Sequence, residues 1–223
     1  MSYYIVLGIT LLITLGSQTY INSCYKRTKK IESKKRMSGY EVAKKIIKEN
    51  DLDVSVEKIN GTLTDHYDPR TKTVRLSTEI YEGTSLASIS VASHECGHAI
   101  QDKNGYLFLR VRRSLVPIVN IASFAGYIAI AGGAILGLLN LIWLGIIFEV
   151  VILAFQLITL PVEFNASNRA LKQIKELKIV DDKEHSSCKE MLTAAALTYV
   201  AAAATALIEV MRLIIIFGNR DRD

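Results

Sequence analysis

The chain has 223 residues, of which half are hydrophobic and 22% are charged, with a formal net charge of +5. Long uncharged stretches alternate with strongly charged ones, so these averages do not describe a uniform soluble domain. The basic residues cluster beside the apolar stretches, which favours an anionic membrane surface over nucleic acid as their partner. Three cysteines without paired spacing argue against a disulfide framework and are typical of reduced thiols facing the cytoplasm.

The first apolar stretch contains no charge and predicts a transmembrane helix over residues 1–22. No basic residue precedes it and no convincing cleavage site follows, so a cleaved signal peptide is the weaker alternative. Seven Lys and Arg side chains then follow between Lys26 and Arg36. By the positive-inside rule this run predicts a basic cytoplasmic linker over 23–37, with the N-terminus on the outer side.

A soluble region with helices and strands is predicted over residues 38–113. Ser38 suits the N-cap of a helix over 40–50, and alternating side chains predict a strand over 54–59. A β-hairpin is predicted over 63–76, with its turn at Asp68-Pro69-Arg70-Thr71. The region ends with a helix that begins near Ser85 and runs to Gln101.

Two long apolar stretches, at 115–139 and 141–161, predict a helical hairpin that crosses the membrane twice within residues 114–162. Each stretch is long enough to span a hydrocarbon layer of ~30 Å at ~1.5 Å per residue. The connection is predicted near Asn140. Glu149 is the one charge in the hairpin, and we expect it to face another helix or to be protonated.

The last part of the chain divides into a polar segment, an apolar stretch and a short tail. Residues 163–190 are rich in Lys and are predicted to be cytoplasmic, and 191–217 predict a fourth transmembrane helix before the tail at 218–223. Glu209 and Arg212 interrupt this helix and are spaced to form an ion pair. Its many alanines leave open an alternative, in which it packs against the protein without crossing the bilayer.

The strongest functional signal is His94-Glu95-Cys96-Gly97-His98, which matches the H-E-x-x-H pattern of zinc peptidases. Residues four apart share one face of a helix, so both imidazoles can reach a single tetrahedral metal. Glu95 projects beside the metal, where it can act as general base on the attacking water. The surrounding helix is largely apolar, and histidines buried there need partners.

A catalytic zinc site needs a third protein ligand and keeps one position open. We favour Glu163, because it lies at the cytoplasmic end of the third span, on the same membrane face as the two histidines. No third His follows at the spacing of other H-E-x-x-H families; Gln101 lies in that region. Five side chains are candidates for this ligand: Glu163, Glu149, His66, His185 and Asp102.

Three other residues have secondary interpretations. Cys96 lies on another face of the helix from His94 and is predicted to be a core thiol. Gly97 weakens the helix, which a close backbone approach would explain. His66 is a candidate for lining the cleft and stabilising an oxyanion, and the alternative is a turn histidine bonded to Asp65 or Asp68.

Three segments, Ser93–Gln101, Asp65–Pro69 and Leu160–Ser167, together resemble the YugP-like neutral zinc metallopeptidases of Gram-positive bacteria. The resemblance covers nearly the whole chain and implies a membrane protease. The segment that begins at Glu163 is also similar to the E-x-x-A-D segment of HtpX-like and CAAX-prenyl membrane proteases. There the Glu is the third zinc ligand, which implies that role for Glu163. Ser167 stands where that pattern has Asp, so the carboxylate that would orient a histidine is absent or supplied elsewhere.

These observations predict a membrane α+β protein: a small zincin-like cytoplasmic domain, with the H-E-x-x-H helix and a short β-hairpin, attached to about four transmembrane helices. The predicted function is that of a gluzincin-like zinc metalloendopeptidase with one Zn²⁺ per chain, ligands His94, His98 and Glu163, and general base Glu95. Its expected partners are the lipid bilayer and a peptide or membrane-protein substrate, with the active site facing the cytoplasm. The alternative is a non-catalytic membrane scaffold that zinc stabilises.

Overall fold

The structure is a computed structural model that describes residues 3–218. Apart from Gly218, the predicted tail at 218–223 lies outside the described residues. The chain is mostly helical, with one small sheet. In chain order the elements are α1 (Tyr3–Lys29), α2 (Gly39–Glu49), β1 (Ser55–Ile59), β2 (His66–Asp68), β3 (Thr73–Ser77), α3 (Thr78–Glu82), α4 (Leu86–Lys103), α5 (Leu107–Leu136), α6 (Leu139–Glu176) and α7 (Asp182–Gly218).

The sheet has the strand order β1-β3-β2. β2 and β3 form the predicted antiparallel hairpin, and β1 pairs in parallel with β3 on its other side. The turn of the hairpin is held by Asp68, whose carboxylate accepts the Arg70 amide at 2.9 Å and the Arg75 guanidinium at 2.8 Å. These hydrogen bonds hold the pKa of Asp68 well below its usual range, and the bond from Arg75 contributes most to this lowering. The zincin-like and cytoplasmic character of this region stays a prediction.

Helix α2 begins at the predicted N-cap. The Ser38 hydroxyl accepts the Glu41 amide at 3.2 Å, and the Glu41 carboxylate accepts the Ser38 amide at 2.7 Å. This reciprocal pair satisfies backbone donors that the first helical turn leaves without partners. The helix buries Val42 and Ile46 completely against α4. Burial of side chains of this size contributes roughly 1.5–3 kcal/mol each.

One core joins the soluble region to the long helices. It contains buried side chains of α2, β3 and α4, and also Ile174 at the end of α6 and Cys188 in α7. Since these elements share a core, the position of α4 is fixed relative to α6 and α7. The three cysteines are unpaired, as predicted, and all three are buried, which was predicted for Cys96 alone. Burial raises the pKa of the Cys96 thiol, which therefore stays neutral.

Four helices of the described chain, α1, α5, α6 and α7, are long and apolar enough to cross a membrane. α5 and α6 pack side by side and are joined at Gly137 and Leu138. Gly137 has a φ of +68°, the left-handed conformation that favours glycine at a helix end. Asn140 lies inside α6, so the connection comes slightly earlier than predicted. In α7, Glu209 and Arg212 form the predicted ion pair, with Nε to Oε2 at 2.8 Å.

The helices extend further than the apolar stretches. α1 continues to Lys29 through part of the predicted linker, and α6 and α7 take up most of residues 163–190. Neither segment contains a glycine or proline that would end a helix before these points. The rest of the linker is attached to the protein, because the Lys34 amide donates to Glu184 at 2.8 Å. Hydropathy therefore predicted that these helices exist, but it did not predict where they end.

Candidate metal centre

Two imidazoles and one carboxylate converge where α4 packs against α6. Glu163 Oε2 lies 3.2 Å from His94 Nε2 and 3.6 Å from His98 Nε2. In a tetrahedral zinc site with bonds of about 2.0–2.2 Å, two ligand atoms lie roughly 3.3–3.6 Å apart. Both distances are close to this spacing, and all three ligand atoms lie within 4.8 Å of one another. Only 2% of the Glu163 side chain is exposed.

Of the five candidates for the third ligand, the structure brings only Glu163 to the histidines. Within residues 3–218, the one group of His, Cys, Asp and Glu side chains that could hold a metal is His94, His98 and Glu163. Asp102 instead accepts the Tyr67 hydroxyl at 3.0 Å, at the far end of α4. His185 Nε2 lies 3.2 Å from the Leu171 carbonyl, and Glu149 lies about four helical turns from Glu163 along α6.

Gly97 allows the two helices to touch. A Cβ atom at this position would lie 2.4 Å from the Ala166 carbonyl oxygen, which is too close for any other residue. The predicted close backbone approach is therefore confirmed, and it is made by α6. Because Glu163 is one helical turn before this contact, the approach also brings its carboxylate to the imidazoles of α4.

Gln101 orients His98. Its Nε2 donates to the Val162 carbonyl at 2.8 Å and to Asn165 Oδ1 at 3.1 Å, so its Oε1 must be the atom that faces His98 Nδ1 at 3.0 Å. An amide oxygen accepts only, so His98 carries its proton on Nδ1. The lone pair is then on Nε2, which points at the centre, as a metal ligand requires.

Ser167 contacts Nδ1 of His94, as Gln101 contacts Nδ1 of His98. Its hydroxyl lies 3.2 Å from His94 Nδ1, and it is largely buried. The position that holds a carboxylate in the similar E-x-x-A-D segment is thus occupied by a hydroxyl that can accept the Nδ1 proton. A hydroxyl carries no charge, so it orients the ring with a smaller increase in basicity than a carboxylate would give.

Arg112, in the first turns of α5, holds the other oxygen of the third ligand. Its guanidinium donates to Glu163 Oε1 at 2.8 Å. With Oε1 engaged by Arg112, Oε2 is the atom left to face the two imidazoles. The guanidinium also compensates the negative charge of a carboxylate that is almost completely removed from water.

Glu95 lies beside the centre and is held by the hairpin. Its Oε2 accepts the backbone amide of Tyr67 at 2.9 Å, which fixes the carboxylate at the edge of β2. The Tyr67 hydroxyl reaches Asp102 on the same helix, and burial together with this bond raises its pKa, so it stays a neutral donor. The general-base candidate is therefore positioned by two contacts between β2 and α4.

Two cavities meet at these residues, and Asp65, His94, Glu95, Glu163 and Tyr199 line both. The first, of about 240 Å³, is otherwise mainly apolar, and the second, of about 180 Å³, is more polar. The additional side chains of the first are Leu63, Val91, Ser167, Met191, Leu192, Ala195 and Ala196. Those of the second are His66, Tyr67, Pro69, Leu109, His98 and Arg112.

His66 lies in the second cavity, as the cleft interpretation predicts, and its ring is exposed. The alternative partners, Asp65 and Asp68, do not bond it. Its Nδ1 instead lies 2.7 Å from the Thr64 carbonyl. The carboxylate of Asp65 is engaged elsewhere, because it accepts the Ser77 amide at 2.7 Å.

Comparison with known proteins identifies the family. Residues 3–218 match the family model described as "putative neutral zinc metallopeptidase". The chain belongs to this family. It is also 46% identical over 208 residues to a Bacillus subtilis (strain 168) protein named "putative membrane protease YugP", an alignment that covers 93% of this chain and 92% of that one. No solved structure matches the chain.

The zinc metallopeptidase family implies Zn²⁺ as the cofactor, and the residues present fit it. Two imidazole nitrogens and one carboxylate oxygen are the ligand types of catalytic zinc sites with an open position. Both imidazoles carry partners on Nδ1, which leaves Nε2 of each for the metal. The predicted third ligand agrees with the donor set that the fold assembles.

Sequence reasoning did not assign a role to four residues near the centre: Gln101, Arg112, Tyr67 and Tyr199. Gln101 has a local signal, because it follows His98 by three positions and so lies on the same face of α4. Arg112 and Tyr199 have none, since their positions depend on how α5 and α7 pack. A basic residue at the start of an apolar helix is ordinarily explained by membrane topology.

We expect Gln101→Met to weaken zinc binding roughly 10–100-fold, the usual effect of removing a partner that orients a ligand. Methionine fills similar volume without an oxygen for His98 Nδ1. The measurement is competition for zinc with a chromophoric chelator. Gln18→Met, on an exposed face of α1, is the matched control and should bind zinc like the parent. Equal affinities in the two variants would contradict the role of Gln101.

Proposed function

We propose that the chain is a multi-pass integral-membrane metalloendopeptidase of the gluzincin type that hydrolyses peptide bonds on the cytoplasmic side. The observation that carries the proposal is the placement of a carboxylate that belongs to no ligand set, Glu95, beside the His94, His98 and Glu163 cluster. A structural zinc site has no use for such a carboxylate, since its ligands fill all positions. Here an adjacent general base and a cavity accompany three ligands.

Each residue then has a chemical task. Zinc, when bound, supplies Lewis-acid polarisation of the scissile carbonyl and lowers the pKa of water. Glu95 takes the proton of the attacking water and passes it to the leaving amine. Its hydrogen bond with the Tyr67 amide keeps one oxygen fixed while the other is free for this transfer. Arg112 keeps Glu163 oriented throughout.

His66 is our candidate for stabilising the oxyanion. Its ring lines the second cavity together with Glu95, and its Nδ1 lies 2.7 Å from the Thr64 carbonyl. The Tyr199 hydroxyl is a further donor, and Tyr199 lines both cavities.

The cytoplasmic orientation is supported by where the basic residues lie. α1 ends with Lys26, Arg27 and Lys29, and α6 and α7 meet at a segment rich in lysine, both on the side of the metal centre. The connection between α5 and α6 contains no Lys or Arg. The positive-inside rule then assigns the metal centre to the cytoplasm and this connection to the outside.

We expect the purified full-length chain in detergent to cleave a quenched-fluorescent peptide library of mixed sequence. A chelator should abolish the cleavage, and one equivalent of zinc should restore it, because the proposed mechanism depends on zinc to activate the attacking water. The measured quantity is the initial rate of fluorescence increase. Cleavage that persists at full rate in the chelator, or no cleavage at any zinc concentration, would refute the proposed function.

A further inference from the structure

α7 lies between α1 and α6 and packs against both. Within residues 3–218, α1 and α6 make at most marginal contact with each other. A groove therefore runs along one side of α7, with α1 and α6 as its walls. We define the α7 groove by the residues of its floor, which are Ala195, Tyr199, Ala202, Ala206 and Glu209.

The floor residues of the α7 groove lie on the face of α7 that reaches the metal centre. Its five residues are spaced by four and three positions, so they share one face of the helix. Ala195 and Tyr199 line the larger cavity at the centre, and Ala202, Ala206 and Glu209 line a further cavity between α1 and α6. From Tyr199 to Glu209 the helix rises about 15 Å, roughly half of the hydrocarbon thickness.

Polar groups line this groove at a depth where they are costly. Gln156 of α6, Thr10 of α1 and Thr205 of α7 line the further cavity beside Glu209. Thr159 lies on the same face of α6 as Gln156 and Glu163, one turn from each. It is 2% exposed and so does not line the cavity itself, and its hydroxyl has no hydrogen-bond partner in the described part of the chain. The Thr10 and Thr205 hydroxyls donate to carbonyls of their own helices, and Glu209 pairs with Arg212. Polar groups inside membrane helices are typical of a functional path.

An unwound peptide inside the bilayer needs hydrogen-bond partners for its backbone. A peptide must be extended to present a bond to the metal, and in hydrocarbon each of its free N–H and C=O groups costs several kcal/mol. The Gln156 amide and the acceptor lone pairs of the Thr10 and Thr205 hydroxyls can bond such a backbone. The alanines of the floor would let it approach closely, as small residues do between membrane helices.

We propose that the α7 groove admits a membrane-embedded segment of a substrate protein, which unwinds and reaches the metal centre laterally from the bilayer. The occupant is a transmembrane or membrane-inserted stretch, and the bond cleaved lies near the cytoplasmic boundary of that stretch. This inference rests on the proposed function, because it supplies the substrate class for the same site.

The test uses disulfide trapping, which needs no hydrolysis; added diamide is the oxidant that takes up the two protons and two electrons of the two thiols. The full-length chain with Glu95→Gln is reconstituted in lipid nanodiscs with either Ala206→Cys or Leu207→Cys. The probe is a transmembrane peptide of about 20 Leu and Ala residues with a central Gly-Cys-Gly, which weakens its helix. The two positions are adjacent in depth, but Leu207 is 47% exposed on the lipid side, and the natural cysteines are buried.

We expect Ala206→Cys to form the mixed disulfide at least about ten-fold more than Leu207→Cys, since a bound probe holds its thiol at high effective concentration. A small maleimide should label both introduced cysteines, which shows that both are reachable. Equal trapping at the two positions, or trapping at neither, would overturn the proposal that the α7 groove admits a membrane-embedded segment. The trapping result does not depend on whether the wild-type chain cleaves peptides. The chelator experiment tests the proposed function separately.

Discussion

Glu95→Gln is expected to reduce peptide hydrolysis by roughly 10²- to 10⁴-fold, the contribution typical of a positioned general acid–base group. An amide cannot take the proton of the attacking water at neutral pH. Its oxygen can still accept the Tyr67 amide, so the contact between β2 and α4 should persist. The loss should therefore fall on kcat, with the fold and the zinc content unchanged.

The measurement is kcat and KM for one cleaved peptide from the library. Glu82→Gln is a matched control, because it neutralises an exposed carboxylate on α3 that pairs with Lys58 and lies outside both cavities. We expect the control to retain wild-type rates. A Glu95→Gln enzyme that hydrolyses peptides at more than about a tenth of the wild-type rate would exclude a general-base role.

Glu163→Gln is expected to release zinc. A neutral amide is a poor zinc ligand, and the two imidazoles alone do not complete a site. The substitution also leaves the Arg112 guanidinium without its carboxylate in a nearly buried position. The loss of affinity should exceed the roughly 10–100-fold that removal of an orienting partner such as Gln101 causes.

Glu149→Gln is the matched control for this variant. It removes a carboxylate from the same helix α6, at a position that sequence reasoning also considered for the third ligand. The structure does not include Glu149 among the side chains that could hold a metal. Its zinc content should equal that of the wild type, and the catalytic rate should follow the zinc content in both variants.

Much of the site could be predicted because the information is local. His94, Glu95 and His98 are fixed relative to one another by helical spacing alone. Ser38 and Glu41 similarly define the start of α2 through contacts within one turn. Such features depend only on residues close together in the sequence, so they can be predicted from the sequence alone.

The remaining features depend on tertiary packing. Glu163 could be favoured among five candidates from topology and a resemblance, but its contact with His94 spans 69 positions. The Arg112 contact with Glu163 and the Tyr67 contact with Glu95 span 51 and 28 positions. Which side chains meet across such separations depends on how α5 and β2 dock, and no periodicity encodes that.

The ends of the helices were the other feature that the sequence did not predict. The apolar stretches predicted the four long helices, but α1, α6 and α7 continue into polar segments. α6 runs through Pro161 to Glu176, and the carbonyls of Pro161 and Val162 accept hydrogen bonds from Tyr106 and Gln101. Polar residues continue a helix nearly as readily as apolar ones, so the length of an apolar stretch does not predict where its helix ends.

The zinc content of purified Glu163→Gln, measured by mass spectrometry beside wild type and Glu149→Gln, tests the assembled centre most directly. We predict about one zinc per chain in wild type and in Glu149→Gln, and less than about 0.1 in Glu163→Gln. One zinc per chain in Glu163→Gln, with unchanged affinity, would contradict the ligand set on which the proposed function depends.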